Sequence, residues 1–190
     1  MKNTFLKFAG VTAVALALVQ SLQATPITGN IGFTGRVALN TGSAATASSV
    51  LAWINPNVNG TSGSFNSVAT GTPVTFSAPP WAFNSGSVTA FWTVGGFTFD
   101  LTESSVTAQG GNQGTTAFVN VSGSGTVYGN NYDKTTIIWN FSTQDPKIAG
   151  DVDSFTFSAS HVATPDGAST IALLGLALSG AGMLRKKFAA

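Results

Sequence analysis

From Asn30 onward apolar and polar residues alternate with a period of two, the signature of strands buried on one face. In "NIGFTGRVAL" the residues Ile31, Phe33, Val37 and Leu39 are apolar, and Asn30, Thr34 and Arg36 fall between them. The clearest unit is "AFWTVGGFTFDLT", Ala90 to Thr102. A two-residue turn at Gly95 and Gly96 sets Val94 against Phe97, Trp92 against Phe99 and Ala90 against Leu101 on one side of a hairpin. Phe91, Thr93, Thr98 and Asp100 then share the other side. Further strands run through Val119, Val121 and Val127, through Ile137, Trp139 and Phe141, and through Phe155, Phe157 and Ala159. Gly123 and Gly125 predict a bulge or a close backbone approach. "NTGSAATASS" from Asn40 and "NPNVNGTSGS" from Asn55 predict turn-rich loops, and Pro73, Pro79 and Pro80 punctuate the next section. About eight to ten short strands with regular turn signals predict an all-β fold over residues 25–160, an antiparallel β-sandwich of jelly-roll type.

Both ends of the chain break this alternation. Met1 to Ala24 reads as a secretory signal peptide: Lys2 and Lys7 form its positive region, Phe8 to Val19 its apolar core, and "SLQA" a signal-peptidase site after Ala24. After Ser160, "HVATPDGAST" predicts a linker in which Pro165 and Gly167 interrupt regular structure. Ile171 to Leu184 is then an uncharged stretch of 14 residues ending against Arg185, Lys186 and Lys187. As a helix it spans about 21 Å, or about 25 Å with Ala168 to Thr170 included, against a bilayer core of about 30 Å. Its Leu and Ile residues supply only around −3 kcal/mol toward insertion. Such a helix holds a membrane briefly, and the basic cluster stays cytoplasmic as a stop. A permanent anchor and a C-terminal core helix are the competing readings. The latter needs burial on every face, which a single sandwich does not easily offer. The expected organisation is a signal peptide at 1–24, a β domain at 25–160, and a linker plus C-terminal tail at 161–190. That tail comprises a turn motif at 164–170, a transmembrane helix at 168–184 and a basic end at 185–190.

Composition narrows the function classes. Only 8% of residues are charged and 43% are hydrophobic, a balance usual for extracellular β proteins. Five of the eight basic residues sit at the two ends. Between Thr25 and Thr164, Arg36, Lys134 and Lys147 face six acidic residues, a net −3, which argues against a nucleic-acid partner. There is no cysteine, so disulfides, thiolate metal sites and thiol nucleophiles are excluded. Stability must come from one sizeable core.

Catalytic chemistry finds few candidates. Asp100 and Glu103 lie three apart and in a regular strand point to opposite faces, which is poor geometry for paired-carboxylate work. Asp100 is expected to face solvent. His161 is the only histidine, and no Gly-x-Ser-x-Gly elbow accompanies it, so neither a triad nor a two-histidine metal site is expected. Asp145, Asp151 and Asp153 cluster in "QDPKIAGDVDSF", but their spacing fits no defined calcium loop. No catalytic residue, metal or cofactor is therefore predicted. Aromatic residues are the better lead: Trp53 in "LAWINPN" and Trp81 in "SAPPWAF" sit beside turn residues, where an exposed indole could stack on a sugar ring. The competing reading makes them structural caps, and Trp92 and Trp139 are expected inside the core. Asn-x-Ser/Thr triplets at Asn59, Asn120 and Asn140 are incidental if the producer is a bacterium.

The stretch Thr164, Pro165, Asp166, Gly167, Ala168, Ser169, Thr170, followed by a short Gly/Ala/Leu helix and Arg185 to Lys187, resembles the bacterial PEP-CTERM class of sorting signals. The nearest variant reads Val-Pro-Asp-Ser/Gly-Gly-Ser-Thr, with Thr164 in place of the Val. "GFTFDLT" from Gly96 and "VNVSGSGTVYGNNYDKTTIIWNFSTQ" from Val119 are also similar to bodies of that group. The resemblance implies recognition of Pro165, Asp166 and Gly167 by an exosortase-like transpeptidase, transient residence in the inner membrane, and release to the cell surface or extracellular polysaccharide. It implies a non-enzymatic structural or adhesive protein. The alternative is a carbohydrate-binding module acting through Trp53 or Trp81.

Overall fold

The computed structural model describes residues 25–145 and 153–161 and the single position Leu174. The expected signal peptide with Ala24 lies outside the described residues, as do Asp151 and the tail residues Pro165, Asp166, Gly167, Arg185, Lys186 and Lys187. The described chain forms nine strands: β1 Asn30–Leu39, β2 Ser49–Thr61, β3 Thr75–Phe76, β4 Trp81–Ala82, β5 Val88–Val94, β6 Phe97–Gly110, β7 Phe118–Gly129, β8 Tyr132–Gln144 and β9 Asp153–His161. A short 3-10 helix, Gly63–Ser67, follows β2. Among the described residues, no helix is long and apolar enough to cross a membrane.

The all-β antiparallel architecture is as the alternation predicts. The strands expected in two facing sheets are hydrogen-bonded into one, in the order β3-β5-β6-β7-β8-β9-β1-β2-β4. This sheet curls into a half-barrel, so that its walls face one another as sandwich layers do. The curl brings strands distant in the order into contact: Phe33 of β1 meets Trp92 of β5 edge-on at 5.1 Å, and Trp53 of β2 stacks on Phe76 of β3 at 4.1 Å. Backbone bonds bring the segment leading into β3, at one end of the order, against β2, next to the other end. The Val58 N–H donates to the Thr72 carbonyl and the Val74 N–H to that of Pro56, each at 3.0 Å, beside an Asn57–Pro73 bridge. Bringing these segments together limits the unpaired edges that would template aggregation.

The interior is an aromatic cluster in which Phe33, Trp92, Phe99, Trp139, Phe141 and Phe157 are each at most 1% exposed. Trp139 stacks on Phe157 at 5.4 Å and Phe141 on Phe155 at 5.7 Å, joining β8 to β9. Aromatic packing supplies much buried area per residue and favours such offset and edge-on geometries. Gly125 lies beneath the Phe99 ring, where a Cβ would overlap it, and a Cβ at Gly123 would overlap the Glu103 carbonyl oxygen. The close backbone approach expected at these glycines is therefore present.

Two expectations change. The Gly95–Gly96 turn forms with both φ angles positive, and Val94–Phe97 and Trp92–Phe99 pair as predicted. However, Val88 rather than Ala90 pairs with Leu101, because residues 89–91 bulge out of β5. Ala90 adopts φ +48°, and the Phe91 side chain, expected outside, turns into the core beside Trp92. Second, Asn55 to Thr61, expected as loop, continues β2. Register shifts at Gly32/Phe33 and Thr34/Arg36 and a positive φ at Asn55 break the period-2 pattern there, so the strand left no alternating signal.

Candidate functional site on the outer face

Alternation that points the aromatic residues of β7, β8 and β9 inward necessarily points their neighbours outward. Across β7, β8, β9 and β1 the register aligns Ser124, Ile138, Ser160 and Asn30 in one row. The next row holds Ser122, Asn140, Ser158 and Gly32, and the next Asn120, Ser142, Thr156 and Thr34. The outer wall is thus a field of hydroxyls and amides. Within it the Ser142 hydroxyl and the Asn120 amide oxygen are 2.7 Å apart. Ile138 interrupts the polar field, its side chain 48% exposed.

A bulge in β6 brings a carboxylate to this field. Leu101 pairs with Gly125 and Glu103 with Ser124, leaving Thr102 as the extra residue. Inward positions therefore shift from Phe99 and Leu101 to Ser104, and both Thr102 and Glu103 are exposed. Asp100 and Glu103 consequently share the outer face, contrary to the opposite-face expectation for a regular strand. Their surroundings differ. Asp100 is half-buried rather than solvent-facing: it accepts the Ala90 N–H at 2.8 Å, satisfying a donor that the β5 bulge frees, and the Tyr128 hydroxyl at 3.4 Å. Desolvation and the neighbouring Asp100 charge push the Tyr128 phenol up from its ordinary value of 10.0. The Lys134 ammonium lies 5.0 Å over the Tyr128 ring. Glu103 Oε1, by contrast, only meets the Ser124 hydroxyl at 3.3 Å and borders an open groove of about 500 Å³. Ser105, Ser122, Ser124, Ile138 and Asn140 also line it, four polar side chains and one exposed apolar one.

The remaining candidates fall elsewhere. Trp81 is 3% exposed and packs on Phe83, Phe91 and Phe141, its indole N–H donating to the Ser85 hydroxyl at 3.2 Å. Trp53 is sandwiched between Phe76 and Trp81, and its indole nitrogen is buried. Neither indole offers a free face to a sugar, because the curl of the sheet turns both toward the core. Asp145, at the end of β8, accepts the Ala44 N–H at 2.5 Å and the Gly114 N–H at 3.0 Å, tying the β1–β2 and β6–β7 loops together. Burial acts to raise its pKa, but those two donors and the Ser43 hydroxyl outweigh it and hold the carboxyl below its ordinary range. Burial and the Asp145 charge push Asp153 up to about 6. No group of metal-ligating residues occurs among the described residues. His161 closes β9, its N–H donating to the Gly29 carbonyl at 3.1 Å, so the strand includes the residue expected to begin the linker.

Ser122, Ser124, Ile138 and Asn140 were not singled out from sequence. A signal existed in "TTIIWNF": once Trp139 and Ile137 point inward, Ile138 must be an apolar residue on the polar face.

No family model matches the chain, and neither a curated protein nor a solved structure matches it.

Proposed function

We propose that the chain is an exported, non-enzymatic protein of the cell surface or extracellular matrix, parked in the inner membrane by its C-terminal segment until an exosortase-like transpeptidase removes that segment. The observation that carries this reading is the order of parts after Ser160: the sequence Pro165-Asp166-Gly167, an uncharged stretch from Ile171 to Leu184, and Arg185 to Lys187 at the end. A stretch slightly short of a bilayer core, pinned by cationic residues on the inner side, holds its cargo without making it a permanent membrane protein. The β domain supports a structural or adhesive role. Its low charge, packed aromatic interior and broad hydroxyl-bearing wall suit a stable extracellular unit that presents a surface. Its carboxylates also favour this reading: Asp145 binds loop backbone and Asp100 fills a bulge, which are structural tasks.

The test is replacement of Pro165, Asp166 and Gly167 by alanine in the producing cell. The altered chain should accumulate in the membrane fraction at full tail length while the unaltered chain reaches the surface. Equal surface delivery of both chains overturns the reading.

A further inference from the structure

The geometry points to the groove between Glu103 and Asn140 as a saccharide site that holds a neutral polysaccharide laid along β7 and β8. This inference rests on the reading of the protein as a surface or matrix component and names the ligand class its domain would hold. The groove measures about 500 Å³, within the range of roughly 300–1,000 Å³ usual for small-ligand sites. Its chemistry matches a sugar ring. The hydroxyls of Ser105, Ser122 and Ser124 and the Asn140 amide both donate and accept, as sugar hydroxyls do, and the Glu103 carboxylate accepts only. Ile138 supplies an exposed apolar patch for the C–H face of a ring, flanked in register by Ser124 and Ser160.

Charge selects the class of polymer. Among the described residues Arg36 and Lys134 stand against Asp100, Glu103, Asp133, Asp145 and Asp153, a net −3, and the carboxylate in the groove is exposed. Glu103, the one charged side chain lining the groove, would repel a polyanion there, whereas a neutral chain meets no such barrier. The outward residues of β8 from Lys134 to Gln144 extend about 34 Å at ~3.4 Å per residue, room for several sugar units rather than one. A protein partner fits less well, because one isoleucine among hydroxyls gives no cluster of aromatic or aliphatic anchors.

The experiment is native affinity electrophoresis of the full chain in mild detergent, through gels containing hydroxyethylcellulose, galactomannan, dextran or alginate. At least one neutral polymer should retard the chain, and any retardation by alginate, which the basic residues at the two ends attract, should be unchanged by Asn140→Ala. Asn140→Ala and Ile138→Asp should each weaken retardation by the neutral polymer at least tenfold without moving the melting temperature, while Thr70→Ala, exposed in the loop before β3, should leave retardation unchanged. If Ile138→Asp unfolds the domain, Asn140→Ala alone decides. The inference is overturned if no neutral polymer retards the chain, if Asn140→Ala weakens retardation by alginate as much as by the neutral polymer, or if Asn140→Ala weakens retardation by the neutral polymer less than tenfold. Alanine replacement of Pro165, Asp166 and Gly167 should leave retardation intact, so failure of the sorting reading and failure of this one are separately visible.

Discussion

Along β7, β8 and β9 each strand carries two molecules' worth of instruction, one on each side. Val121, Trp139 and Phe157 are each 1% exposed and pack wall against wall, while Ser122, Asn140 and Ser158, one position on, stand outside in a single row. The inner side is constrained by volume and shape, since protein interiors are close-packed and feel the loss of even small groups. The outer side is constrained by neither, and hydroxyls and amides recur there, interrupted by Ile138. Packing and surface chemistry are thus separated by the pleat.

That separation yields graded expectations. Trp139→Ala should cost about 3–5 kcal/mol, measured by urea unfolding, because it opens a cavity against Phe157 and Phe91. A smaller loss would mean that the walls can collapse onto one another. Asp100→Ala breaks the comparison from the outside: although it sits on the outer face, it should cost about 1–3 kcal/mol because the Ala90 N–H loses its partner. Unchanged stability would remove the carboxylate's role in holding the β5 bulge.

Next comes Asp153. Its pKa is raised in the fold from 3.8 to about 6, so the folded state holds the proton more tightly and this group's stabilisation is complete below 3.8. Stability should therefore decline as pH rises from 3.8 through about 6 and level off above. Asp153→Asn should flatten that slope in melting temperature against pH and raise the melting temperature at pH 7. An unchanged slope would place the titration elsewhere. Asp145 acts in the opposite sense, its lowered pKa giving stability that is lost only under stronger acid. The smallest effect belongs to Ser158→Ala on the outer wall, expected within about 0.5 kcal/mol of the parent by the same urea titration.

Sequence alternation located the core well wherever strands were regular. Phe33, Trp139, Phe141, Phe155 and Phe157 all point inward as the period-2 pattern requires. It failed where the ladder gains residues. The bulge at Thr102 carries Glu103 to the same face as Asp100, and the bulge at 89–91 turns Phe91 inward, and neither insertion leaves a local mark beyond ordinary strand residues. Trp53 and Trp81, open in sequence to a sugar-contact and a structural reading, take the structural one for a related reason. Flanking Asn and Pro residues signal turns, but curling of the whole sheet, a long-range event, decides which side of the strand meets the core. The outer rows could be assembled only from the register of four strands, which no single stretch of sequence contains.

If the interior serves only to hold the domain together, the proposed task belongs to the outer wall, and its proposed delivery to the tail. Delivery is the more exposed part of the account. The most direct measurement is the intact mass of the protein recovered from the surface of its own producing cell. The account predicts a chain that begins near Thr25 and ends within Thr164 to Gly167, with any added group appearing as a discrete mass increment. A mass that runs through to Ala190 would contradict it.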